Sequence, residues 1–380
     1  MRSLEHCKLI ICSVSIFFAA YGCSSPTTNT SVTDSVSHTS DSIQPKTSAA
    51  KLRPKGPKPA WAPDIHPEMQ VVIEKLISYN APAIETLTPE KARLNPTPAM
   101  AVMDVMKDNN IPTPVSKVDT VGQNIPVAGG TIHIRIYTPK AAMTTYPIIL
   151  YIHGGGFVIA DINTYDASAA SMSEQTGAVV ISVEYRKGPE HKFPVAHNDC
   201  FAAYQWALKN AASYKGDTAK IAVLGESAGG NLAANVCIMA REKKIKVPVA
   251  AVLVYPIAQP DMNTASYQKN AMAKPLNKAM MAWFAKNYLP SMALASDPRM
   301  DLTKANLKGF PTTLIITDEI DPLQTDGEML RDAMKKAGVD VSYQNYDGVT
   351  HEFFGMAAVV PEAREAQALA ASHLKKAFDN

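Results

Sequence analysis

The chain has 380 residues, 46% of them hydrophobic, which is long for one domain, short for two large ones, and enough for a sizeable core. Its 37 Lys+Arg nearly balance 35 Asp+Glu, for a net charge of +2, and no basic block or stripe stands out, so nothing suggests nucleic acid as a partner. No apolar run reaches the roughly 18–20 residues that a membrane-spanning helix needs.

Arg2 and Lys8 give a basic start, and residues 9–20 are apolar apart from Ser13 and Ser15. That run has the length of a signal-peptide core and is too short to span. It ends at Ala20-Tyr21-Gly22-Cys23, which resembles a bacterial lipobox, with Cys23 as the lipidated first residue after cleavage. Residues 1–22 are therefore expected to be a lipoprotein-type signal peptide. The mature chain is expected in the cell envelope, exported and held to a membrane by lipid on Cys23, facing the periplasm or the surface. Residues 23–62 are Ser/Thr-rich, then Lys- and Pro-rich, and read as a polar tether that cannot bury enough surface to fold. Of the five cysteines, Cys7, Cys12 and Cys23 belong to the signal and its end. Cys200 and Cys237 fall in Ala-rich helical stretches and read as buried free thiols, although export would permit a disulfide.

The folded part is expected over 63–380. Residues 63–110 read as helical, with Met69, Val72, Ile73 and Leu76 at helical spacing and Thr88-Pro89 as an N-cap followed by Pro at N1. Strands begin near Val115. Gly130 to Tyr137 alternates with period two and reads as a half-exposed antiparallel edge strand. Pro147 to Ile152 is continuously apolar, as a buried parallel strand should be. Strands at 179–183, 220–224, 249–255, 312–317 and 339–346 then alternate with helices at 194–212, 227–241, 325–337 and 361–378. That alternation predicts an α/β fold with a mostly parallel sheet covered by helices on both faces. The 63–110 region and the 260–295 segment, which holds a Met- and Ala-rich helix at 277–288, lie outside the alternation. They are candidates for a cap over the strand C-terminal ends, where open α/β sheets bind ligands.

Two motifs carry the chemistry. His153-Gly154-Gly155-Gly156-Phe157 follows a buried strand, and its glycines let bare backbone amides approach a ligand. Gly225-Glu226-Ser227-Ala228-Gly229 sits between a strand and a helix. That is the setting of a nucleophile elbow, where a sharp turn exposes the Ser227 hydroxyl and Gly225 and Gly229 relieve crowding. The Ala228 N–H and the positive end of the following helix both favour a developing oxyanion. An acid and a histidine should follow in that order. Asp318, Asp321 and Asp347 all lie at strand ends on the same side of the sheet. His351 is left as the base by elimination, because His373, the other histidine after Ser227, is deep in the last helix. His191, His197 and Asp199 have no matching ligand cluster and read as structural, so no metal is expected. Arg186 and Glu190 read as a structural ion pair, and Glu226 as a group that holds loops rather than an acid catalyst.

With these residues in place the chain resembles the hormone-sensitive-lipase group of α/β-hydrolases, the bacterial family IV carboxylesterases. The likeness covers 63–378 and rests on His153–Phe157, Gly225–Gly230, Asp321-Pro322-Leu323, His351, the Tyr185–Pro194 segment and Thr86–Glu90. It implies an eight-stranded sheet, a helical cap, no cofactor, and hydrolysis of small-molecule esters with short to medium acyl chains. It also implies Gly155 and Gly156 as oxyanion donors, Gly154 shaping the turn, and Asp321 as the acid. Pro322 supports Asp321 independently, because it biases the preceding residue to an extended backbone. Two departures stand out: Lys187-Gly188 replaces the group's Leu-Ala, and Glu352 replaces the glycine of its His-Gly-Phe. The expected activity is thus a serine ester hydrolase using Ser227, His351 and Asp321. The alternatives are an amidase or peptidase on the same fold, or a silent surface lipoprotein that only binds.

Overall fold

In the computed structural model, residues 52–141 and 143–379 are described. The signal segment, Cys23 and tether residues 23–51 lie outside them. The tether boundary needs correction at its other end. Leu52 and Ala62 are buried beside the first helix, and the N–H groups of Lys55 and Gly56 donate to Glu74 at 2.8 and 3.0 Å. Packing therefore begins by Leu52, because this stretch carries enough apolar surface (Leu52, Trp61, Ala62, Ile65) to dock on its neighbour.

Eight strands form one sheet: β1 (Val118–Val127), β2 (Gly130–Pro139), β3 (Tyr146–Ile152), β4 (Val179–Glu184), β5 (Gly216–Glu226), β6 (Ala250–Val254), β7 (Thr312–Ile320) and β8 (Val341–Thr350). Their order is β1-β2-β4-β3-β5-β6-β7-β8. The β1–β2 and β2–β4 pairs are antiparallel, and every pair from β4 to β8 is parallel. β2 is therefore antiparallel, as its alternation predicts, but it is not the edge. Its Ile132, Ile134 and Ile136 face a core while β1 covers its outer side. A period-two pattern reports one polar face, not an unpaired side.

The helices are α1 (Pro67–Ser78), α2 (Pro89–Ala92), α3 (Pro98–Asp108), α4 (Asp166–Thr176), α5 (Val195–Asn210), α6 (Ala228–Glu242), α7 (Ala265–Lys269), α8 (Lys278–Tyr288), α9 (Gln324–Lys336) and α10 (Pro361–Asp379). Two apolar clusters lie on opposite sides of the sheet. Ile148, Leu150 and Ile152 of β3 join one with α5, α6 and α9; Ile149 and Tyr151 join the other with α1, α3, α4 and α10. Both faces of β3 are buried, which is why its sequence is continuously apolar. α4 had no sequence signal. Its Asp-Ala-Ser-Ala-Ala-Ser run has no apolar stripe, and small residues suit close packing against α10. The helical 63–110 region is broken at Pro82 and Pro96 into α1, α2 and α3. Cys200 and Cys237 are both buried and free.

Candidate active site

Ser227 links β5 to α6 at φ 57°, ψ −119°. This backbone region is costly for a residue with a β-carbon, on the order of 1–3 kcal/mol, and persists only where its surroundings fix it. Here the Ser227 N–H donates to the Val254 carbonyl at 2.9 Å and the Ser227 carbonyl accepts from Gly230 at 2.9 Å. A β-carbon on Gly225 would strike the Gly229 carbonyl, and one on Gly229 the Ile152 carbonyl. The flanking glycines thus answer a close approach of three backbone segments.

His351 stands just past β8. Its Nε2 is 3.0 Å from Ser227 Oγ, and its Nδ1 is 2.5 Å from Asp321 Oδ2. Asp321 Oδ1 accepts the Leu323 N–H at 2.8 Å. With Nδ1–H donating to the carboxylate, Nε2 is left to accept the serine proton. Ser227, Asp321 and His351 are 4, 1 and 4% exposed. Burial pulls the His351 pKa down, but the Asp321 carboxylate outweighs it, with Glu352 and Glu226 adding, and the net direction is up. Asp347 is exposed and accepts from Asn345 at 2.8 Å, away from the histidine. Asp318 is buried next to Asp321.

In the glycine loop, Tyr185 donates to the carbonyls of His153 and Gly154 at 3.1 and 2.9 Å, and the Gly155 carbonyl accepts from Val158 and Ile159. A trans peptide points its N–H opposite to its C=O. The Gly155 N–H therefore faces away from Tyr185, and the Gly156 N–H away from the 158–159 turn. Both glycines have positive φ, 94° and 58°, and line the same cavity as Ser227 and His351. His153 is buried, stacked on Tyr185 at 4.3 Å, and bonded through Nδ1 to the Gly154 carbonyl at 2.8 Å. Burial lowers its pKa, so it is a neutral support for the loop.

Glu226 is fully buried beneath the elbow, where Tyr151 of β3 and Tyr255 after β6 donate to its two oxygens. It thus ties three adjacent strands. Burial, with the nearby Glu352, pushes its pKa up to about 7. Glu352 has φ 72°, the left-handed region that favours glycine, and accepts from the Tyr165 hydroxyl at 2.5 Å. Glu352 is among the residues lining the cavity.

The cavity measures about 460 Å³. Ser227 and His351 lie at its base. Its apolar walls come from Leu76 and Ile84 on one side and Leu276, Met280, Met281 and Phe284 on the other. The sequence gives no warning of several supports. Ser266 donates to the Pro322 carbonyl at 2.5 Å and Asn270 to the Asp321 carbonyl at 2.9 Å, fixing the acid loop from the 260–270 segment. Asp326 accepts from the Ala258 and Gln259 amides at 3.0 and 3.3 Å, fixing the loop after β6. No local spacing encodes such contacts.

The expected Arg186–Glu190 pair is not formed. Arg186 Nη2 is 2.6 Å from Asp199, and Glu190 instead bonds Arg93 at 2.7 and 2.8 Å. Arg93 comes from α2's end, too far along the chain for local reading. His197 lies between the Tyr288 hydroxyl and Asn231, each at 3.0 Å. Among the described residues the one group of three possible metal ligands is Asp318, Asp321 and His351.

The profile of a family described as the alpha/beta hydrolase fold matches residues 149–355. Carboxylesterase NlhH of Mycobacterium tuberculosis is 34% identical over 251 residues, covering 65% of this chain and 79% of the relative. The ethyl acetate hydrolase of Pseudomonas putida is 30% identical, covering 62% of this chain and 76% of the relative. Among solved structures, the hyperthermophilic esterase of Pyrobaculum calidifontis superposes with a TM-score of 0.72 at 33% identity, over 80% of this chain and 97% of that one. The chain belongs to the α/β-hydrolase family, in its hormone-sensitive-lipase-type carboxylesterase branch.

Proposed function

We propose that the protein hydrolyses short to medium acyl esters by a serine mechanism, with Ser227 as nucleophile, His351 as base and then acid, and Asp321 as the group that orients His351. The observation that carries this reading is the unbroken hydrogen-bonded chain Ser227–His351–Asp321 at the base of an apolar cavity. Ser227 Oγ attacks the acyl carbon while His351 Nε2 takes its proton. Asp321 stabilises the imidazolium so formed. The amides of Gly155, Gly156 and Ala228 hold the tetrahedral oxyanion, each donor contributing roughly 3–4 kcal/mol in related sites. His351 returns the proton to the leaving alcohol. Water, activated by His351, then attacks the acyl-enzyme and releases the acid. The glycines must stay bare for this, and Ser227's strained backbone presents its hydroxyl to the cavity.

The bounded cavity, with 76–98 and 274–284 as its cap, favours acyl chains of limited length. The names of relatives that act on ethyl acetate and aryl esters point the same way. A fluorophosphonate should label Ser227 stoichiometrically, and hydrolysis of p-nitrophenyl butyrate should vanish with labelling. Turnover that survives complete labelling, or the absence of labelling in folded protein, would overturn the mechanism.

The N-terminal pattern supports an envelope location: cleavage before Cys23, lipid on that residue, and a polar leash that holds the enzyme off the membrane. The substrate would then be met outside the cytoplasm.

A further inference from the structure

We propose that Asp318 is a protonated carboxylic acid that donates a hydrogen bond to Asp321 and so holds the acid behind His351; the proposal rests on the Ser227–His351–Asp321 reading above. Asp318 lies near the end of β7 and is 0% exposed. A carboxylate oxygen of Asp318, one of Asp321 and a ring nitrogen of His351 lie within 4.8 Å of one another. Neither oxygen of Asp318 accepts a hydrogen bond from the described residues.

An ionised carboxylate in that position would have lost its water, gained no donor, and stood beside a second carboxylate. Each of these disfavours the charge, and two carboxyls sharing such a site keep a proton between them. The residue that stays ionised is Asp321, because it receives the Leu323 amide at 2.8 Å and faces His351 Nδ1 at 2.5 Å. Asp318 receives nothing, so the proton sits there. As an acid it carries one O–H, and Asp321 is the acceptor in the cluster.

The groups facing Asp318 are Asp321 beyond β7, His351 and Glu352 beyond β8, and the Tyr343 phenol on β8, itself bonded to Thr317. Burial first and Asp321 second push the Asp318 pKa well above the carboxylate range. Around His351 stand Asp321, Glu352 and Glu226, with the Tyr255 ring against it at 4.4 Å. In this crowd of acids a neutral donor keeps Asp321 charged and fixed without adding a further negative charge. Asp318 touches no substrate. It is a positioning residue that acts through Asp321.

The test compares wild type, Asp318→Asn and Asp318→Ala by kcat, KM and the acid limb of kcat/KM, which reports the His351 pKa in the free enzyme. Asparagine replaces the O–H donor with an N–H donor at the same charge, so kcat should stay within about threefold and the acid limb should not move. Alanine removes the donor. It should lower kcat about tenfold, the effect of one hydrogen bond to a charged group, leave KM unchanged and shift the acid limb upward as Asp321 presses harder on His351. If Asp318 is ionised, asparagine removes a negative charge and the acid limb moves down, which overturns the proposal. So does an alanine variant that matches wild type in kcat and acid limb, or an asparagine variant as impaired as alanine. Should the alanine variant fail to fold, the direction of the asparagine shift decides alone. Fluorophosphonate labelling of the wild type keeps the two readings apart: failure to label sinks the serine mechanism, whereas any of these outcomes in a labelled enzyme sinks only the role of Asp318.

Discussion

The ring of Phe284, on α8, fills the space that a β-carbon on Gly156 would need. Gly156 also has φ 58°, so a side chain there is opposed twice, by backbone and by contact. Helix α8 therefore sets the height of the cavity roof directly above the glycine loop. Gly156→Ala should lower kcat by about 10²–10³, the loss expected when one oxyanion donor is displaced. Phe284→Ala in the same chain should recover part of that loss, because it removes the clash but not the backbone strain. A double-mutant cycle on p-nitrophenyl butyrate measures the coupling, and strictly additive effects would count against the contact.

Ser227→Ala should reduce kcat by on the order of 10⁶ without unfolding the protein. Asp321→Asn should cost about 10⁴, because an amide at that position favours the wrong His351 tautomer. Asp347→Asn should change kcat little, since Asp347 is exposed and bonded to Asn345 rather than His351. Rates of the three purified variants, each checked for folding by circular dichroism, decide the assignment. A larger loss from Asp347 than from Asp321 would refute it.

Glu226 makes stability depend on pH in a defined direction. Its carboxyl holds a proton to about 7 in the fold, held up by burial and then by Glu352, whereas an unfolded chain releases it near 4.3. Between those values the native state binds a proton that the unfolded state has lost, so stability falls as pH rises through that window and levels off above it. The contribution is up to about 4 kcal/mol. Glu226→Gln should flatten this slope in urea titrations across the range, while a slope unchanged by the substitution assigns the effect to another group.

The cavity is about 460 Å³ and is lined by α1, the 80–98 segment and α8, and on the proposed function it would limit the acyl chain. The ratio kcat/KM should peak on butyrate or hexanoate esters and fall on palmitate, with no jump in rate above the substrate's solubility limit. A p-nitrophenyl ester series measures both. A maximum at palmitate would show that the roof opens.

Cys23→Ala should block lipid attachment and leave the precursor uncleaved or misprocessed. Mass spectrometry of the mature N-terminus reads this directly, and an unacylated terminus at another residue would remove the anchor from the proposal.

Much of this protein is legible along the chain. Continuous apolar runs marked β3 and β6, because a strand buried on both faces has little room for polar positions. The elbow and the glycine loop announced themselves because close backbone approach admits only glycine at Gly225, Gly229 and Gly155. Strand order placed three candidate acids and His351 after Ser227, and the choice of Asp321 among them came from Pro322 and the family resemblance. Other features belong to the tertiary structure alone. α4 has no apolar stripe, and it forms by packing on neighbours far along the chain. Arg93 takes Glu190, and Asp199 takes Arg186, because ion pairs follow spatial proximity rather than sequence proximity. The burial of Glu226 between two tyrosines, and the meeting of Asp318 and Asp321 with His351, depend on which strand ends are neighbours in the sheet. Local pattern fixes which face a side chain takes. The charge it can hold there is set by how much water and how many donors the assembled fold leaves it.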